Sequence, residues 1–128
     1  MYCYYDTKNG TLIIYGYGQM KDFSQEDKAS WTVVKDDVID VFIKDGVLNI
    51  GNEAFKNIQA IKRVEIARTV DDIRTNVFDG CNKLYDITFE EVKPPTTVED
   101  DVFYESSVIR VHVPDDYEDK EGDIGNVP

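Results

Sequence analysis

The chain has 128 residues, of which 26 are acidic and 14 are basic, and its formal net charge is −12. This length fits one domain, and an apolar content of 41% is sufficient for a packed core. The negative charge disfavours nucleic acids and anionic membrane surfaces as partners, and no apolar run is long enough for membrane insertion. We expect no secretion signal within this chain, because no charged and then apolar leader follows Met1.

Two cysteines and one histidine limit the chemistry that can be expected. Cys3 and Cys81 could form one disulfide, but two thiols make neither a disulfide framework nor a zinc site, and two separately buried thiols are the simpler interpretation. A lone His112 excludes metal motifs that need two histidines. We therefore expect no cofactor and no metal site.

Residues 1–37 are predicted to form a cap at one end of the molecule. Two short runs rich in aromatic and apolar residues, 2–5 and 11–15, flank Asn9-Gly10, a pair that favours a hairpin turn. The polar segment that follows is interrupted by Phe23 and closed by Trp31. An aromatic hairpin with a tryptophan is suited to cover the open end of a repeat array.

Residues 38–114 contain a repeat of 23 residues. Apolar residues at offsets 0, 3, 5, 9, 12 and 17 from Val38 recur at the same offsets from Ile61. A third copy starts at Leu84 and takes two extra residues near Pro95, and a partial fourth copy starts at Val108. The six columns of the first two copies are Val38/Ile61, Val41/Val64, Ile43/Ile66, Val47/Val70, Ile50/Ile73 and Phe55/Phe78.

The spacing of each copy predicts a strand followed by a return arm. Apolar residues alternate with others near 41–43, 64–66, 87–89 and 111–113, which is typical of short half-buried strands. Strands this far apart in sequence are expected to be parallel, because hairpin links are much shorter. A turn-forming segment with one phenylalanine follows, as in a helical or 3-10 turn. The sequence therefore predicts a mainly β, right-handed solenoid of about three and a half repeats, with Phe55, Phe78 and Phe103 stacked inside.

The last residues, 115–128, are predicted to be a solvated acidic tail, since 115–123 contains six acids and one base. Adjacent acids also occur at Asp36-Asp37, Asp71-Asp72 and Asp100-Asp101. Paired carboxylates leave open a small hydrolase that uses an acid pair. Adjacent loop residues rarely aim at one point, so solvated loop acids are the simpler interpretation, and we expect no catalytic residues.

Two columns of strand residues are predicted to point away from the core and to form a protein-binding surface. The column at offset 2 alternates in sign, so each acid is expected beside an arginine on the next strand. These charges could simply neutralise one another, or they could set the specificity for a partner. The column at offset 4 begins with Phe42, an exposed aromatic that could anchor a contact. The two columns are Asp40, Arg63, Asp86 and Arg110, and Phe42, Glu65, Thr88 and His112.

Several segments match the pattern of one family, in the order in which that family has them. Residues 9–20 are similar to an entry segment written GTLTISGTGxM, and residues 45–55 to a box written GVTSIGxxAF. Residues 78–84 are similar to FxGCxxL, and residues 113–117 to a closing VPxxY. Arg74 and Ile58 depart from the pattern, where a glycine and a cysteine are usual. On these segments the chain resembles BspA-like leucine-rich-repeat proteins.

The resemblance implies a leucine-rich-repeat solenoid without catalytic residues. It also implies an adhesion or interaction module of a secreted or cell-surface protein of bacteria or protists. The partner would then be a protein, such as a host extracellular-matrix or cell-surface protein. An intracellular or structural scaffold built from the same repeats is the alternative.

Overall fold

The computed structural model describes residues 1–91, 95, 97–99, 101–106 and 110–115. In this part of the chain, strands and turns alternate along the sequence, and the only helical element is a single 3-10 helix, Ser30–Val34. The longer strands are β1 (Tyr2–Asp6), β2 (Thr11–Tyr15), β3 (Asp40–Ile43), β5 (Arg63–Ile66), β7 (Asp86–Phe89) and β9 (Arg110–His112). The two-residue strands are β4 (Asn49–Ile50), β6 (Asp72–Ile73) and β8 (Thr97–Val98).

The strands form two sheets whose order follows the chain. A six-stranded sheet has the order β1-β2-β3-β5-β7-β9, and a three-stranded sheet has the order β4-β6-β8. Only β1 and β2 pair antiparallel; all other described pairs are parallel. The register advances by one repeat at each step, for example from Asp40 to Arg63 to Asp86. The prediction of a parallel β solenoid with the 23-residue period is therefore confirmed.

The inward side chains form continuous columns through the core. The residues of the six predicted columns in the first two copies are all buried, at 4% exposure or less. The phenylalanine column is a stack of nearly parallel rings, with centroids 5.6 Å apart for Phe55 and Phe78 and 5.7 Å apart for Phe78 and Phe103. One repeat alone could not bury these faces, whereas stacked repeats bury them against each other.

The return arms share an unusual backbone conformation at two fixed positions. Glu53, Asn76 and Asp101 precede the stacked phenylalanines by two residues, and each has a φ of 58°. The residues two positions after the phenylalanines, Asn57, Gly80 and Glu105, also have positive φ. Because this left-handed conformation is favourable only for glycine and tolerable for asparagine or aspartate, the two glutamates carry backbone strain.

The N-terminal segment does not match the 23-residue spacing, yet it forms a rung of the sheet. β2 pairs in parallel with β3, and Leu12 lies opposite Val41, so this rung spans 29 residues from strand to strand. The extra length includes the 3-10 helix, which places Trp31 on the phenylalanine stack, 5.5 Å from Phe55. The Trp31 indole N–H donates to the carbonyl of Ala54 at 2.8 Å. Trp31 thus covers the end of the stack, as the sequence predicts.

The hairpin itself differs from a two-residue Asn-Gly turn. Asp6 pairs with Thr11, so four residues connect the strands, and Gly10 supplies the positive φ of 66°. The Gly10 N–H donates to the Asp6 carbonyl at 3.0 Å. The expectation of a hairpin is correct, and the turn is longer than the dipeptide suggests.

Two polar contacts join the first rung to the repeats. Asn49 is buried, and its side-chain amide accepts from the Met20 N–H at 2.7 Å and donates to the Met20 carbonyl at 3.0 Å. Arg74, which departs from the family pattern, donates to Asp22 at 3.1 Å and to Asp72 at 2.8 Å. A backbone N–H donor from Asn52 and the Arg74 guanidinium hold the pKa of Asp22 below its ordinary value.

Some sequence predictions fall partly or wholly outside the described residues. The acidic tail beyond Asp115 lies there, as does Val108, the predicted start of the fourth copy. The boundaries at residues 38 and 115 remain predictions. Both thiols are free, and the expectation that both are buried is confirmed for Cys81 and wrong for Cys3, which is exposed. Burial raises the pKa of Cys81 to about 12.

Candidate functional site: the outer face of the six-stranded sheet

Alternation along the strands divides the large sheet into a buried inner face and an outer face. In β3, β5 and β7 every second residue is buried, and the residues between them point outward. The same alternation in β2 buries Leu12 and Ile14. Residues opposite one another on antiparallel strands share a face. The β1 residues that lie opposite the outward residues of β2 therefore also point outward. The outer face comprises Tyr2, Tyr4, Asp6, Thr11, Ile13, Tyr15, Asp40, Phe42, Arg63, Glu65, Asp86, Thr88, Arg110 and His112.

The predicted column of alternating charge is present in the register, but its ion pairs are uneven. Arg63 donates two hydrogen bonds to the Asp40 carboxylate. Its Nε donates to Oδ1, and its Nη2 donates to Oδ2 at 3.1 Å. This pairing raises the pKa of Arg63. No ion pair joins Arg110 to Asp86 in the described residues. The expectation that each acid lies beside an arginine on the next strand holds in the register, because Asp86 lies opposite both Arg63 and Arg110, but the Arg110 position does not give an ion pair to Asp86 in the described residues.

The side chain that contacts Asp86 is His112, and not Arg110, which lies directly opposite Asp86 in the register. Its Nε2 lies 2.6 Å from Asp86 Oδ1, reaching diagonally from the adjacent strand. That carboxylate oxygen is buried and has no aligned hydrogen bond in the described part of the chain. Because a neutral imidazole carries no charge, the contact between His112 and Asp86 is an ion pair only when the imidazole is protonated.

The second predicted column starts with Phe42, which is half-buried rather than exposed. The Lys44 ammonium lies 5.2 Å from the centre of the Phe42 ring and covers part of it. Glu65 and Thr88 are also half-buried, whereas His112 is exposed. Part of this surface is a shallow depression of about 160 Å³, which neither His112 nor Arg110 lines. Its outward-facing lining residues are Asp40, Phe42, Arg63, Glu65, Asp86 and Thr88.

Two glutamates meet at the border of this depression. The carboxyl groups of Glu65 and Glu90 are close enough to influence each other's ionisation. Desolvation and the proximity of Glu65 raise the pKa of Glu90; Asp45 adds to the rise and Lys44 opposes it. A cation brought to this border would relieve the repulsion between the two carboxylates.

The aromatic end of the outer face lies outside the repeat columns and was not predicted from the sequence. Tyr2, Tyr4 and Tyr15 are 65%, 58% and 44% exposed, and Ile13 lies between Tyr4 and Phe42 in the register. The 29-residue first rung conceals them, because their strands fall outside the 23-residue columns. The alternation in 11–15 was the available signal, since Leu12 and Ile14 have the same spacing as Val41 and Ile43.

The outer face offers groups for recognition rather than an arrangement for a chemical step. It presents carboxylates, guanidinium groups, one imidazole and aromatic rings on rigid strands. Among the described residues, no three histidine, cysteine, aspartate or glutamate side chains converge as a metal site. The described residues also contain no helix of the length and apolarity required to cross a membrane. Such a face can form ion pairs, hydrogen bonds and ring contacts with another molecule.

Comparisons with known proteins agree with this architecture. A family model described as the BspA type leucine-rich repeat region matches residues 36–122, in six copies. A crystal structure of a leucine-rich repeat protein from Eubacterium ventriosum has a similar fold, with a TM-score of 0.56 and 18% sequence identity. The match covers 88% of this chain and 41% of that protein, so this chain spans less than half of its length. No curated protein matches the chain.

The family match points to a non-enzymatic repeat scaffold, and the structural neighbour has a similar fold. The family model covers most of the chain, including the four parallel strands β3, β5, β7 and β9. The chain belongs to the BspA-type leucine-rich-repeat family.

Proposed function

We propose that this chain is a non-catalytic protein-binding module that serves adhesion at a cell surface. Its partner is an extracellular-matrix or host cell-surface protein. The BspA-type family supports this proposal, because leucine-rich repeats are modules generally used for protein interaction. The contact residues are Asp40, Phe42, Arg63, Glu65, Asp86, Thr88, Arg110 and His112.

One observation carries the assignment to this face. The inward columns of the first two copies are buried, so the core dictates their identity, whereas the outward residues change type from rung to rung. Strands hold these side chains in fixed positions, so a partner can bind without the cost of ordering a loop. A rigid, chemically varied face beside a uniform core is what a recognition surface requires.

The charge of the face supports a protein partner. Its eight proposed contact residues include three acids and two arginines, so the face is nearly balanced in a chain with a net charge of −12. The general negative field repels acidic partners over the rest of the surface. The balanced face is therefore the region where a protein of either charge can approach.

The test is a titration of the chain against a panel of purified extracellular-matrix proteins. The double variant Arg63→Glu/Arg110→Glu should weaken binding at least about tenfold, because it places like charges beside Asp40 and Asp86. The matched control is Lys28→Glu/Lys83→Glu, which changes the net charge equally at exposed positions outside the outer face. Melting temperatures show whether each variant is folded. Equal losses in the two double variants would mean that net charge, and not this face, controls binding.

A further inference from the structure

The end of the outer face formed by β1 and β2 carries an exposed aromatic surface. We call it the tyrosine patch, and it consists of Tyr2, Tyr4, Ile13, Tyr15 and Phe42. The Tyr2 and Tyr15 rings stack, with centroids 5.6 Å apart and planes inclined by 30°. Tyr4, Ile13 and Phe42 follow one another directly across three strands. All three tyrosines are more than 40% exposed, so the ring surface that the Tyr2–Tyr15 stack does not cover is open to a partner.

A cation already lies on one ring of this surface. The Lys44 ammonium is 5.2 Å from the centroid of Phe42, within the range in which a ring attracts a positive charge. Lysine over an aromatic ring recurs in the first rung, where Lys21 is 5.5 Å from Phe23. The tyrosine rings offer the same electron-rich faces, and no lysine or arginine lies over them in the described residues.

Carboxylates border the tyrosine patch on two sides. Asp6 lies two residues from Tyr4 on the same face of β1. Glu65 lies opposite Phe42 on the next strand, close to Glu90. The rings and these acids together form a surface that attracts cations and repels anions.

We propose that the tyrosine patch binds an extended segment of the partner protein that carries arginine or lysine at alternate positions. The inference rests on the proposed protein-binding function and specifies the partner chemistry at one end of the face. Alternate side chains of an extended segment project on one side at about 6.6–6.8 Å. Tyr2 and Tyr4 are alternate residues of a strand and so have the same spacing. Two cationic side chains can therefore cover two rings, while Asp6 and Glu65 neutralise their charge.

The experiment is a calorimetric titration with synthetic peptides. The probe is an alternating arginine–serine hexapeptide, and the control peptide has citrulline in place of arginine, which keeps the shape and removes the charge. The test variant is Tyr2→Leu/Tyr4→Leu, which keeps apolar side chains of high bulk and removes the rings. The control variant is Tyr104→Leu, an equally exposed tyrosine on a return arm.

The arginine peptide should bind at least about fivefold more tightly than the citrulline peptide. The double leucine variant should lose at least about fivefold in affinity, the order expected for exposed cation–ring contacts, and Tyr104→Leu should bind as the parent does. Equal binding of the two peptides, or parental affinity of the double variant, would overturn the inference. Self-association of the chain through the patch, or binding of a neutral oligosaccharide there in preference to the peptide, would also overturn it. The matrix-protein titration with Arg63→Glu/Arg110→Glu is read separately, so failure here is distinguishable from failure of the proposed function.

Discussion

The two sides of the same strands obey different rules. On the inner side each column repeats one kind of residue, as in Val41, Val64 and Ile87, and all are buried. On the outer side, the residues that directly follow these three in sequence are Phe42, Glu65 and Thr88. The backbone positions are equivalent, so the difference does not come from strand propensity.

Packing explains this difference. An inward residue must fill the space between its neighbours above and below, because a change of even one methylene group is felt in a close-packed core. An outward residue meets solvent and can vary without loss of fold. Columns of similar residues thus indicate positions that pack in the core, and columns of varied residues indicate positions on the solvent-facing surface.

The largest expected effect compares two phenylalanines on opposite sides. Phe78→Ala should lower the free energy of unfolding by about 3–5 kcal/mol, because it empties a site with stacked rings on both sides. Phe42→Ala should cost no more than about 1–2 kcal/mol, since Phe42 is half-buried under Lys44. Urea unfolding of both variants provides the values. Equal losses would show that the outer face also carries the fold.

The next effect concerns the inner side, where Asn49 is the one buried polar residue in the described part of the chain. Asn49→Ala should destabilise the protein by about 2–3 kcal/mol, because the Met20 N–H and carbonyl lose their partners in a buried site. Asn9→Ala, in the exposed hairpin loop, is the matched control and should change stability little. Thermal unfolding followed by circular dichroism compares the two. A loss below about 0.5 kcal/mol for Asn49→Ala would mean that water replaces the amide.

A smaller effect tests the strained return arms. Glu105 has a φ of 55° at the position where the preceding repeat has Gly80. Glu105→Gly should raise the free energy of unfolding by about 0.5–1 kcal/mol, because glycine adopts this conformation without strain. Gly80→Ala should have the opposite sign, since an added Cβ would lie 2.1 Å from Asn57 Oδ1. Chemical denaturation measures both, and a destabilised Glu105→Gly variant would remove the argument for strain.

The smallest effect is a pH dependence on the outer side. The pKa of Glu90 is raised above its ordinary value of 4.5 in the folded state, so ionisation of Glu90 at neutral pH disfavours folding. Glu90→Gln should therefore be more stable than the parent at pH 7. The difference should shrink as the pH falls and vanish only below 4.5, where the parent carboxyl becomes protonated in both states. Melting temperatures from pH 4 to 7 test this, with Glu26→Gln correcting for net charge; a difference independent of pH would contradict it.

The inner columns were predictable from sequence because packing forces similar residues to recur at a fixed spacing. Phe55, Phe78 and Phe103 are found in one stack as the period requires. The first rung was not predictable in the same way, since its 29 residues break the period even though Leu12 and Ile14 enter the same columns. No second copy of this rung exists to align with it.

The outer contacts were only partly predictable. The column register gave the neighbours of Asp86, but not which neighbour would pair with it. Side-chain reach decided the outcome, since His112 approaches Asp86 diagonally and, within the described residues, Arg110 forms no ion pair with Asp86. Likewise, the column of Phe42 indicated its direction, whereas its cover by Lys44 depends on a side-chain conformation that no spacing encodes.

The most direct test replaces seven of the eight proposed contact residues of the outer face, all except Thr88, with threonine, which suits strands and removes their charges and rings. Melting is followed by circular dichroism. The account predicts one cooperative transition within a few degrees of the parent, because the inner columns remain complete, together with loss of binding to any matrix protein that the parent binds. A variant that does not fold, or that binds as the parent does, would contradict the division between a folding side and a recognition side.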